Sequence, residues 1–247
     1  MPRTPTAVVA RRSAPLLAAL ACPLTQADLV TGEDWSPSIG MSWWIDGSGE
    51  GDAVLTTEPL DEGLWRTTGL VGDAWRVVTW SILVDITSGS PVLEVQSLIA
   101  KNYTLLDAQF EVTFDLDLSD ALDNPMHRLL GELQFILAGT DGAAWIPRDD
   151  MWLWSLRADG ADAGGIFEQP WMLQVESGAV SAFGGLDLPS GVAPTDSMGV
   201  GLSLMLTAGE GASMSGMVAV PAPGGVAVGL VALLGLAQGR RRCTPTA

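Results

Sequence analysis

Between residues 110 and 118, apolar and polar side chains alternate without interruption: Phe110-Glu111-Val112-Thr113-Phe114-Asp115-Leu116-Asp117-Leu118. A period of two is that of an extended strand, whose successive side chains leave opposite faces. The spacing therefore turns Phe110, Val112, Phe114, Leu116 and Leu118 toward a core and the acids toward water. Val200, Leu202, Leu204 and Leu206 repeat the pattern. Further β-rich runs occupy 76–86, 92–99, 132–138, 151–156 and 171–176. Turn-forming clusters punctuate them, such as Thr87-Ser88-Gly89-Ser90-Pro91 and Leu188-Pro189-Ser190-Gly191. Lys101 to Leu106 falls at a junction between two such strands. Only 119–130 reads as helical, with Ser119 or Asp120 as its cap and Pro125 limiting it. Many short strands separated by turn signals predict an all-β fold, an antiparallel β-sandwich of jelly-roll or Ig-like type. No internal repeat is present.

The two ends break this grammar. Arg3, Arg11 and Arg12 precede a short apolar core, Leu16 to Ala21, and Thr25-Gln26-Ala27 places small residues before Asp28. This is the pattern of a secretory signal over 1–27, with an apolar helix too short for the roughly 20 residues that span a bilayer. Acylation at Cys22 is a minor alternative, because Ala19 stands where an aliphatic residue usually precedes a lipidated cysteine. At the other end, Val220-Pro221-Ala222-Pro223-Gly224-Gly225 leads into the uncharged stretch Val226 to Ala237 and then Arg240-Arg241-Arg242. Proline blocks helix continuation upstream. The apolar helix can then enter a membrane, and the arginines hold its end on the cytoplasmic side. The expected organisation is a signal peptide over 1–27, a β-sandwich domain over 28–216 and a sorting or anchor tail over 217–247.

That order of Pro-x-Pro, apolar helix and terminal arginine cluster resembles the PEP-CTERM sorting tails of bacterial exported proteins. The resemblance implies that Pro221, Ala222, Pro223 and Gly224 mark the processing motif and Arg240, Arg241 and Arg242 its basic anchor. It also implies an exosortase-type protease as partner, cutting near the prolines after transient inner-membrane anchoring, and a cell-surface or extracellular destination near polysaccharide. Ala222 replaces the usual Glu of the motif, and Cys243 to Ala247 trail the arginines. Gly224-Gly225 also resembles the GlyGly-type tails processed by rhomboid-type proteases. The resemblance covers about 30 residues and implies nothing about the central domain beyond a loose likeness to β-sandwich ectodomains.

Composition narrows the chemistry. The chain has 247 residues, 12 basic and 29 acidic, with a net charge of −17. Six of the basic residues lie in the two ends while all 29 acids lie between them, so the central domain carries −23. Charged residues total 17%, below the roughly 25% of ordinary soluble domains, while 47% are hydrophobic. Wholesale disorder requires the opposite balance. Nucleic acid is excluded as a partner, since binding it needs clustered Lys and Arg to displace counterions. Anionic lipid headgroups repel the domain for the same reason. Both cysteines, Cys22 and Cys243, lie in the ends, so the central domain folds without disulfides. About 190 residues suffice to bury a core without them.

Candidate catalytic sites are few. A Ser-His-Asp system needs a histidine to shuttle the proton, and the chain has only His127, with no Gly-x-Ser-x-Gly elbow. Zinc lacks its Cys and His ligands. Calcium is the one cofactor with a candidate: Asp46, Ser48, Glu50 and Asp52 place oxygens at alternate positions, with Gly51 sixth for a turn. The second half of that pattern fails, because position twelve is Thr57 and Glu58 comes one place late. Asp159-Gly160-Ala161-Asp162 is a weaker fragment of the same kind. Glycoside hydrolysis needs two carboxylates facing across a cleft, a criterion that 29 acids satisfy too easily to discriminate.

Ten tryptophans, all within the central domain, are the other prominent feature. In Met151-Trp152-Leu153-Trp154, strand geometry puts Trp152 and Trp154 on one face, where paired indoles can stack on sugar rings. Filling the core competes with that role. Trp43 and Trp44 face opposite sides of a strand. The expected function is a non-enzymatic surface or matrix protein, structural or adhesive. The alternatives are a carbohydrate-binding module of extracellular polysaccharide and a glycoside hydrolase using a carboxylate pair.

Overall fold

A computed structural model describes residues 36–86, 91–118, 128–188 and 194–220. Among these the regular structure is all β, in 13 strands. They are β1 (Ile39–Ile45), β2 (Gly49–Leu55), β3 (Glu58–Asp61), β4 (Leu64–Gly72), β5 (Arg76–Asp85), β6 (Val92–Asn102) and β7 (Ala108–Asp117). After these come β8 (Leu129–Trp145), β9 (Trp152–Ala158), β10 (Ala161–Glu168), β11 (Met172–Leu188), β12 (Ser197–Leu206) and β13 (Gly211–Ala219).

Hydrogen bonding joins all 13 strands into one curled sheet whose pairings are antiparallel throughout. Two leaves can be traced in it. One runs β2-β1-β7-β12-β9-β10 and the other β11-β8-β13-β6-β5-β4-β3. They meet at a corner where Met205 and Leu206 of β12 pair with Trp145 and Ala144 of β8. Contacts across the interior show the leaves facing each other. The Trp80 ring of β5 lies 5.7 Å from Phe114 of β7. Trp154 of β9 packs against Gly216 of β13, and Leu156 against Gly131 of β8.

The alternation read from β7 is borne out: Phe110, Val112, Phe114 and Leu116 are buried in the common core. Each fully buried side chain of this size contributes roughly 1.5–3 kcal/mol relative to exposure. Val78, Trp80, Ile82 and Val84 supply the matching face of β5. Glycines adjust the fit where two leaves or a bulky ring come close. A side chain on Gly216 would meet the Glu132 carbonyl, and one on Gly69 would meet the Trp80 ring.

The expected helix over 119–130 is corrected at its C-terminal end. Leu129 and Leu130 already belong to β8, where they pair with Leu188 and Asp187 of β11. Residues 119–127, including His127, lie outside the described residues, as do the expected leader over 1–27 and the expected tail motif Pro221, Ala222, Pro223, Gly224, Arg240, Arg241 and Arg242. Among the described residues no helix is long and apolar enough to cross a membrane. The run at 132–138 extends to Leu129–Trp145 because β13 pairs with it as far as Ala138 and β11 continues the ladder through Gly139 and Gly142. Ladder pairing supplies there what a Gly-rich sequence does not.

Candidate functional site

The sequence-predicted sites resolve in different ways. Asp46-Gly47-Ser48 is the turn of the β1–β2 hairpin, closed by the Ser48 N–H donating to the Ile45 carbonyl at 3.0 Å. Gly47 takes a positive φ of 70° in it. Glu50 and Asp52 then lie on β2 itself, opposite Trp44 and Ser42. Oxygens that a calcium loop would wrap around one point are here strung along an extended chain that advances about 3.4 Å per residue. Among the described residues no three His, Cys, Asp or Glu side chains gather as a metal-binding group. Ser48 instead donates its hydroxyl to Asp73 Oδ2 at 2.7 Å.

Trp152 and Trp154 of β9 have different surroundings. Trp154 is fully buried beneath the opposite leaf, and Trp152 packs over Gly165 of β10. The pair therefore lacks the two open indole faces that stacking on a sugar requires. Burial wins because β9 is flanked by β12 and β10 and covered by β13 and β8. The fragment at 159–162 is the β9–β10 turn. There Asp159 accepts hydrogen bonds from the N–H groups of Thr195, Asp196 and Ser197 and from the Thr195 hydroxyl. Nearby, Arg157 bridges Asp115 and Asp162, each at 2.9 Å, on the outer face of the same leaf.

Partial burial pushes the Asp159 carboxyl up, but its hydrogen bonds outweigh that and hold it below the usual 3.8. A carboxylate with a lowered folded pKa stabilises the fold fully above its unfolded value, and the contribution is lost as pH falls through the folded one. Acid should therefore weaken the wild type more steeply below about pH 4 than Asp159→Asn. Urea midpoints measured from pH 6 to pH 3 check this. Parallel acid slopes would show that Asp159 does not hold the 194–197 segment through its charge.

The open feature lies on the outer face of the other leaf. Three strands run side by side there, with β13 between β6 and β8. Gly211 of β13 lies level with Lys101 and Ala138, and Ser213 with Ile99 and Ile136. Small residues on the middle strand leave a trough between larger neighbours. The result is a groove of about 300 Å³ lined by Ile99, Lys101, Tyr103, Ile136, Glu210 and Ser213 among others.

One end of this groove is aromatic. The Tyr103 N–H donates to the Trp75 carbonyl at 2.7 Å, extending a ladder in which Arg76 faces Asn102 and Val77 faces Lys101. That register sets Trp75 and Tyr103 opposite each other on the outer face. Trp75 is 62% exposed and Tyr103 50%. The Lys101 ammonium sits 5.8 Å from the Tyr103 ring centre, within cation–π range. Leu105, 95% exposed, and Leu106 continue the apolar surface along the β6–β7 loop.

Two carboxylates shape the surroundings. Asp73 Oδ1 accepts from the N–H groups of Trp75 and Arg76 at 2.7 and 2.8 Å, so it positions the turn that carries Trp75. The Ser48 hydroxyl first, then these backbone donors, hold the Asp73 carboxyl below its ordinary range. Glu210 is 6% exposed and packs over Gly139 and Gly142, where any side chain would collide with it. Its Oε1 accepts the Thr140 N–H at 3.2 Å, while its Oε2 makes no hydrogen bond. None of these groove residues except the Lys101–Leu106 junction was singled out by pattern. The available signal was the conjunction of the chain's one lysine with Tyr103, Leu105 and Leu106 in a segment between two strands, where apolar residues have no core to fill.

Fold and groove together define an antiparallel β-sheet protein with an amphipathic outer-face site. No family model matches the chain, and no curated protein matches it. Among solved structures it is similar to a chain in the structure of infectious bursal disease virus Gx strain, at 12% identity and a TM-score of 0.29. That alignment covers 81% of this chain, which spans about half (52%) of the length of the viral one.

Proposed function

We propose that this is an exported, non-enzymatic β-sandwich protein of the cell surface or extracellular matrix, acting as a structural or adhesive component. The observation that carries the adhesive part is the gathering of Trp75, Tyr103, Leu105 and Leu106 in the open at one end of the groove. Contiguous exposed apolar surface is costly to keep in water and marks places where another molecule binds. The acidic domain supports solubility at a crowded surface through self-repulsion. Export rests on the leader over 1–27 and on the tail motif, Pro221 to Gly224 with Arg240, Arg241 and Arg242, whose processing partner is an exosortase-type or rhomboid-type protease.

Intact mass spectrometry of the protein recovered from its host, by cell fraction, tests this reading. A mass starting at Asp28 and ending near Pro221–Gly225, found outside the inner membrane, is the expected result. A mass retaining Ala247 in the membrane fraction would make the tail a plain anchor and remove the surface-matrix reading.

A further inference from the structure

We infer that the groove along β13 is a binding site for a neutral saccharide, with Tyr103 and Trp75 as its stacking platform. The inference deepens the adhesive reading above by giving it a ligand class, and it moves the sugar site away from Trp152 and Trp154.

A pyranose ring presents an apolar C–H face and a rim of hydroxyls. The groove is built from the same two halves. Ile99, Ile136 and Ala138 supply apolar floor and Tyr103 an exposed ring at its end, while Trp75 lies outside the lining, across the ladder from Tyr103, as a second exposed face that takes C–H groups. Polar groups stand at defined points around them. Lys101 brings three donors and no acceptor, and the Ser213 hydroxyl can do either. Glu210 stands at one end of the groove, but its carboxylate packs over Gly139, on the side of β8 that carries Phe135 and Leu137, and so does not face the ligand. A mostly apolar concavity with a few convergent polar groups is the usual form of a small-ligand site, and about 300 Å³ is at the lower end of the usual size.

Charge selects among saccharides. With 29 acids against 12 basic residues, the protein's field repels polyanions, and Lys101 is its one lysine. Lys101 also lies over the Tyr103 ring, which brings its ammonium to the platform. Acidic polysaccharide is thereby disfavoured and a neutral glycan favoured. Tyr103 is held for this task from behind: Asn102, fully buried, ties the start of the β6–β7 loop to the end of β12. Trp75 is held by Asp73.

The test is isothermal titration of the full chain with cellohexaose, maltohexaose and mannohexaose, each to millimolar concentration. Saturable one-site binding of at least one of them is expected. Tyr103→Ala and Trp75→Ala, both exposed positions, should each weaken it about tenfold, equivalent to about 1.4 kcal/mol. Gly211→Val should abolish it by filling the trough. A Cβ at Gly211 meets Lys101 Cγ and the Ala100 carbonyl only at ordinary contact distances of 3.6 and 3.7 Å, so the backbone there has room for a side chain. Unchanged melting temperatures of the variants confirm this. Absence of binding by all three glycans overturns the inference, as does wild-type affinity in either Tyr103→Ala or Gly211→Val. Neither outcome alters the mass and location of the mature protein, so the groove and the surface reading fail separately.

Discussion

Asn102→Ala should lower the melting temperature by about 10 °C, the largest effect expected of any polar substitution in the domain. Asn102 is fully buried at the end of β6. Its Nδ2 donates to the carbonyls of Leu106, Leu206 and Thr207 at 2.8, 3.2 and 3.2 Å. Its Oδ1 accepts from the Thr104 N–H and hydroxyl at 3.1 and 2.7 Å. Alanine removes these bonds and strands their buried partners, which costs more than the bonds themselves contribute. A loss of about 3–5 kcal/mol follows. In a domain near 200 residues each kcal/mol moves the midpoint by about 2–4 °C. The damage should be local first. Amide exchange at 103–107 should accelerate before the rest of the sandwich, because Asn102 is what fastens that loop to β12. Asn102→Asp should be no milder, since it turns a carboxylate oxygen toward three carbonyls. A loss under about 1 kcal/mol would show that the loop is held by its other contacts.

Trp154→Ala is the second large effect, with an expected cost of about 3–5 kcal/mol from lost burial and the cavity left behind. Trp154 has no exposure, and its ring lies against Gly216 of the facing leaf. Gly216 cannot acquire a larger side chain to fill the space, because one would meet the Glu132 carbonyl of β8. Trp75→Ala makes the contrasting control, expected within about 0.5 kcal/mol as an exposed position. Chemical denaturation of the two variants separates a core tryptophan from a surface one. Equal midpoints would contradict the inward packing of β9.

Both results bear on how much of the molecule could be read from residues alone. The β class and several strands were legible because period-two alternation is a local signal. It runs from Phe110 through the end of β7 to Leu118, and the buried side matches it position by position. Helix over 119–130 was a misreading where it can be checked: Leu129 and Leu130 enter β8, since pairing with β11 outweighs weak local preference. Strands such as β10 and β13 carry little periodic signal. Gly164, Gly165, Gly211 and Gly216 give them no pattern, and they exist because neighbouring strands complete their hydrogen bonds.

The tryptophans mark the boundary between the two kinds of information. Alternation predicts Trp152 and Trp154 on one side of a strand, but whether an indole faces the core depends on what covers it. Only the closing of the second leaf over β9 decided that, by bringing Gly216 and Gly131 against Trp154 and Leu156. The groove is likewise absent from the sequence as such. Lys101, Gly211 and Ala138 are far apart along the chain and become neighbours only through the register of β6, β13 and β8. Local alternation, composition and charge by themselves determined an acidic, disulfide-free, all-β domain. Burial and neighbourhood are properties of pairs distant in sequence, so the inward turn of Trp154 and the open platform at Tyr103 were decided by tertiary structure alone.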